Sequence, residues 1–181
     1  SPSQPIVFID IISHSKINDY LEGLPKDYLK LNAEERCKIL IHLKGNLPPK
    51  IFKNEMTNHT LKSIRAIKKI QKNNGERGCN RYIISNCQSL ENILELFAMC
   101  RLSDWEKPNL DFIPLFETIP DLKQAGNVMR ALFSDSEYIN HLERRGMKQT
   151  IMLGFSDGTK DGGYFMANWS IYVAKQKLTE I

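Results

Sequence analysis

The chain has 181 residues, 41% of them hydrophobic and 25% charged, with a formal net charge of +4. That is the size and composition of one ordinary globular domain, and no apolar stretch approaches the roughly 18–20 residues that cross a bilayer. The opening SPSQP does not read as a secretory leader, and Cys37, Cys79, Cys87 and Cys100 have neither close CxxC pairing nor metal-ligand spacing, so four free thiols in a reducing, cytoplasmic compartment are expected.

In chain order, the first apolar run is Ile6–Ile11 (IVFIDI), expected as a strand. Residues 12–80 then separate it from the next strand, far more than an ordinary α/β connection, so this stretch must hold helices of its own. Helical patterns lie near Ala33–Leu43 and Met56–Lys72, with a break at Asn46–Lys50 (NLPPK). Together they define a helical insertion at about residues 33–75 of a single domain covering 1–181.

This stretch is also basic. From Lys44 to Arg81 there are ten Lys or Arg and two Glu, a local charge of +8. Such a block can meet phosphates, of nucleic acid or of a small substrate. In LKSIRAIKKIQK, however, Leu61, Ile64, Ile67 and Ile70 recur every third residue as a buried stripe with the lysines outward. No aromatic residues interleave with them as stacking platforms, which argues against a nucleic-acid role.

Three further strands follow: Arg81–Ser85 (RYIIS), Leu110–Leu115 (LDFIPL) and Gln149–Phe155 (QTIMLGF). Most run apolar on consecutive positions, as strands covered on both faces do. Helices are expected after Ser89, over Asp121–Phe133, over Ser136–Arg145 with Gly146 at the C-cap, and after Asp161, where Phe165, Trp169, Tyr172 and Val173 share a face. Strand then helix, four times, predicts βαβ units and a parallel sheet.

In such sheets ligands bind at the carboxyl ends of the strands. Glu117 follows DFIPLF there, and Asp157 follows TIMLGFS. Two carboxylates on a rigid frame make a half-site for Mg²⁺ or Mn²⁺, which keeps waters and takes other ligands from substrate. Lys160, three residues past Asp157, can neutralise charge developing on a substrate oxygen. The turn GFSDGTKDGG lets backbone approach a ligand closely. Asp157 or Asp161 could equally cap the last helix, and Glu117 could cap or begin the helix after Thr118; spacing leaves both readings open.

LDFIPLFETIPDL, then MLGFSDGTKDGGYFMANWSIYVAKQKL, resemble the PLFET and GYSDS-KDAG…ANW segments of phosphoenolpyruvate carboxylases, in order and at similar separation. RYIISNCQSLENILEL is similar to that family's Tyr-Val-Ile-Ser segment, so the likeness runs from about Arg81 to Ile181. The resemblance implies a much longer parent chain with an eight-stranded barrel, of which this would be a partial (βα) barrel of four parallel strands. It implies carboxylation of phosphoenolpyruvate by bicarbonate to oxaloacetate and phosphate, with Mg²⁺ or Mn²⁺, in a homo-oligomer. By position, Glu117 and Asp157 resemble the metal ligands, and Lys160 the active-site lysine that meets substrate.

Departures accompany the likeness. The family's catalytic histidine lies before the segments matched and its phosphate-binding arginine loop after them, so the isolated chain is expected to be inactive. His14, His42, His59 and His141 match no family motif and read as surface or helix residues. In DIISHS, Ile12 stands where a substrate-binding arginine is found in the family. The alternative is a non-catalytic binding or scaffold relative that keeps the fold.

Overall fold

The first predicted strand is a helix. In the computed structural model, which describes residues 4–181 except the side chains of 4–6, 157, 158 and 161, IVFIDI lies within α1 (Gln4–Ile12). Val7, Phe8 and Ile11 are buried while Ile9 is 48% exposed. Burial at i, i+1 and i+4 is a helix face, not an alternation. A short unbroken apolar run carries no period of its own, so only the packing partner decides, and here that partner is another helix, α3 (Glu55–Asn74). The expected four parallel strands are therefore three among the described residues.

The chain divides into two compact units, residues up to Arg81 with Leu94–Leu110, and Tyr82–Ile93 with Asp111–Ile181. In the first, a two-residue antiparallel pair absent from the predictions joins β1 (Leu21–Glu22) to β2 (Lys44–Gly45). Between them, α2 (Ala33–His42) opens on a capping box in which Asn32 and Glu35 each accept the other's backbone N–H at 3.0 Å. Arg101 donates to the carbonyls of Ile41 and Leu43, satisfying backbone acceptors at the C-terminal end of that helix. Helix α3 buries Leu61 and Ile64, but Ile67 is only partly covered and Ile70 is 40% exposed, so the predicted stripe is buried over its first half alone. Two of the basic residues secure loops. Arg65 donates to the carbonyl of Leu47, and Lys68 meets the Asp104 carboxylate at 3.0 Å.

The second unit holds the sheet, ordered β3 (Arg81–Ile84), β4 (Asp111–Phe116), β5 (Met152–Leu153). Strand β4 pairs parallel to β5, with Leu115 opposite Met152 and Phe116 opposite Leu153. The last strand is shorter than Gln149–Phe155 because Gln149 uses its side chain instead: the amide donates to the Phe112 carbonyl at 2.7 Å and accepts from the Tyr138 hydroxyl at 2.8 Å. Helix α4 (Leu90–Leu102) follows β3, only its first residues belonging to this unit, and the N–H groups of Gln88 and Ser89 just before it donate to the Asn92 side chain. Helix α5 (Ile119–Phe133) begins with a Thr118–Asp121 capping box and Pro120 in its first turn. Helix α6 (Ser136–Arg144) starts at Asp135, which accepts from two N–H groups. It ends at Gly146 (φ +74°), whose N–H, with that of Met147, returns to the Glu143 and Leu142 carbonyls.

The closing helix α7 (Ser156–Thr179) is two pieces meeting at Gly163, where φ is +80°. Its buried residues are small, Ala167, Ser170 and Ala174, and it packs on α5. Phe165, Trp169 and Tyr172 share a face as predicted, but that face is exposed, at 81%, 56% and 52%. Small residues allow two helix axes to approach closely, and the bulky ones are left on the opposite side.

Candidate active site at the strand ends

Glu117 is the first residue past β4. The capping of α5 is done by Thr118 and Asp121, so the Glu117 carboxylate is not used in starting that helix. Its Oε2 accepts instead from the backbone N–H of Asn86, at 2.8 Å. Asn86 stands two residues past β3 with φ +51°, a left-handed backbone that Asn tolerates better than most residues. The turn around it is fixed at several points. Gln88 Nε2 donates to Asn86 Oδ1 at 3.2 Å, and the Cys87 N–H donates to the Leu115 carbonyl at 3.1 Å.

On the other side, the end of β5 closes against the same residue. The Gly154 N–H donates to the Phe116 carbonyl at 2.7 Å. A Cβ on Gly154 would stand 3.0 Å from Glu117 Cα and 3.3 Å from its Cγ, so only glycine fits without displacement. The carboxyl ends of all three strands therefore contribute to one locus: Asn86 from β3, Glu117 from β4 and Gly154 from β5. Glycine at 162 also serves close packing, since a Cβ there would meet the Ile119 side chain.

Lys160 lies early in α7, exposed to solvent. Nearby, Thr159 ties that turn down through its N–H and hydroxyl, both donating to the Phe155 carbonyl. Phe155 takes the N-cap position of α7 without a side-chain bond. Asp157, the second predicted carboxylate, has its side chain outside the described residues. Among the described residues no group of three His, Cys, Asp or Glu converges as a metal cage. A carboxylate with one oxygen held and the other without a protein partner among the described residues still suits Mg²⁺ or Mn²⁺, which binds through one or two carboxylates and keeps waters.

Of the histidines, His141 is a buried residue of α6, its ring 5.1 Å from that of Phe112 and 5.6 Å from that of Tyr138. The basic stretch lines a groove of about 490 Å³ in the first unit, walled by Lys50, Glu55, His59, Lys62 and Arg65, and containing none of the predicted site residues. Among the described residues no helix is long and apolar enough to cross a membrane. Asn86 was not foreseen from the sequence, because it acts through its backbone; the only signal was an Asn placed directly after a strand.

Parallel strands followed by helices, with a carboxylate, a left-handed turn and a glycine gathered at their carboxyl ends, define an α/β protein of the class that binds ligands at strand ends. A family model described as phosphoenolpyruvate carboxylase matches residues 11–181. The chain belongs to the phosphoenolpyruvate carboxylase family. Curated phosphoenolpyruvate carboxylases align with nearly all of it. That of Rhodothermus marinus is 32% identical over 97% of this chain, and that of Synechococcus sp. (strain ATCC 27144) 35% identical over 91%. That of Prochlorococcus marinus (strain SARG) is 33% identical over 93%. The chain spans 21%, 16% and 18% of these relatives' own lengths, respectively.

Proposed function

We propose that the chain forms part of a phosphoenolpyruvate carboxylase, joining bicarbonate to phosphoenolpyruvate to give oxaloacetate and phosphate. The observation that carries this reading is Glu117 of PLFET, held at a strand end with one carboxylate oxygen bonded to the Asn86 N–H. Glu117 and Asp157 would hold Mg²⁺ or Mn²⁺, which as a Lewis acid polarises phosphoryl and enolate oxygens. Lys160 meets the substrate, its ammonium lowering the energy of negative charge that develops on oxygen as phosphate leaves. The turn from Gly154 to Gly163 keeps side chains out of the way of the bound anion. Further residues of the reaction, and further copies of the protein, would come from the longer chain in which the relatives carry this segment.

Titration with Mn²⁺, followed by the paramagnetic signal of the free ion, tests the reading against the double variant Glu117→Gln, Asp157→Asn. Binding by the natural sequence and at least tenfold weaker binding by the variant is expected. Equal binding by both removes these carboxylates from the site. No binding by either favours a non-catalytic relative that keeps the fold, a reading that Ile12, in the place of a substrate arginine, also suits.

A further inference from the structure

We infer that Asn86 and Gly154 are positioning residues for Glu117, and this rests on the metal reading of that carboxylate. From the β3 side, the left-handed backbone of Asn86 aims its N–H at Glu117 Oε2, 2.8 Å away. From the β5 side, the bare Cα of Gly154 lets the end of that strand lie against Glu117 Cα and Cγ. The carboxylate is gripped between two neighbouring strands, and among the described residues its other oxygen has no protein partner.

A strand-to-helix turn alone does not require this arrangement. The turn is already secured by the Cys87 N–H on Leu115, by Asn92 on the N–H groups of Gln88 and Ser89, and by Gln88 on the Asn86 side chain. Asn86 is an exposed residue and this bond lies at the surface, where water could serve its N–H as well as Glu117 does. Spending a left-handed residue to direct that N–H at a carboxylate orients the carboxylate. Groups that orient a ligand in this way typically contribute 10–100-fold to metal affinity.

Three variants separate this from a merely structural role. Asn86→Gly keeps the N–H and the positive φ; Asn86→Val resists the left-handed conformation; Gly154→Ala pushes on Glu117 directly. The readouts are the Mn²⁺ dissociation constant, the melting temperature without metal, and the ¹H–¹⁵N signal of residue 86 in the natural sequence and in Glu117→Gln. Asn86→Val and Gly154→Ala are expected to bind Mn²⁺ about 10–100-fold more weakly. Asn86→Gly is expected to rescue binding to within about twofold of the natural sequence. The residue-86 amide proton is expected to move upfield in Glu117→Gln, whose neutral amide oxygen is a weaker acceptor than a carboxylate.

Natural affinity in a folded Asn86→Val, or in Gly154→Ala, overturns the positioning role while leaving the metal reading standing. So does a residue-86 amide signal that Glu117→Gln leaves unchanged. Should Asn86→Val fail to fold, Gly154→Ala and the amide signal in Glu117→Gln decide. No Mn²⁺ binding by the natural sequence overturns the metal reading, and the positioning role with it, even where the amide responds to Glu117→Gln.

Discussion

Cys87 shows how far a single side chain's surroundings set its chemistry. It lies in the turn that carries Asn86, fully buried, and burial pushes its thiol from an ordinary value of 9.0 up to about 12, with the charge of Asp121 adding to the shift. Burial alone pushes Cys100 up as well. Both stay protonated in the fold at pH values where the unfolded chain ionises. Above about pH 9 the unfolded state has therefore lost protons that the native state keeps. Stability is complete below that pH and falls as pH rises toward 12, by up to ~1.4 kcal/mol per pH unit for each thiol. Urea midpoints at pH 7.5 and 10.5 check the slope, which Cys87→Ala should reduce. At pH 8 a thiol reagent should label the half-exposed Cys37 and Cys79 and spare the other two. Four labels in native protein would contradict the burial.

At the scale of elements, the closing helix is the informative case. Gly163 turns the chain at φ +80°, and nothing stands within 4 Å of where a Cβ would be. Gly163→Ala should thus cost backbone strain alone, about 1–3 kcal/mol, measurable as a lower urea midpoint with an unchanged slope. A change below a few tenths of a kcal/mol would mean that the two helical pieces do not need this bend. The sequence signalled Gly146 at the end of α6 and the strands of RYIIS and LDFIPL, each within a residue of the observed bounds, since each depends on a local preference. IVFIDI misled because an unbroken apolar run fits a helix or a strand, and only its contact with α3 selects the helix. The aromatic positions of α7 share a face as expected, but it is not the face that meets the neighbouring helix. Periodicity finds a face but does not say whether small or large residues meet the neighbour, and here Ala167, Ser170 and Ala174 do. Glu117 was legible from its place after a strand; the grip of Asn86 and Gly154 on it was not, because neither acts through a side chain.

For the molecule as a whole, the outward face of α7 sets the behaviour in solution. Tyr164, Phe165, Trp169 and Tyr172 lie on one side of that helix, exposed, with Phe155 edge-on to Tyr164 at 5.8 Å and Trp169 beside Tyr172 at 5.7 Å. Met152 and Ile83 in the same unit are also uncovered. Contiguous aromatic surface of this kind is rare on proteins that remain single in solution, because covering it returns about 25 cal/mol for each Å² removed from water. The chain alone should therefore self-associate, with a light-scattering mass above 20.9 kDa that rises with concentration. The double variant Phe165→Ser, Trp169→Ser should shift the mass toward that of one chain and leave the fold intact, since both side chains already face water and neither supports the α5 contact. Salt separates this from charge pairing: association through aromatic surface persists or strengthens as ionic strength rises, whereas attraction between the basic stretch and acidic patches weakens. A folded natural chain with the mass of a monomer at every concentration would mean that this aromatic face is too small or too polar at its rim to drive self-association.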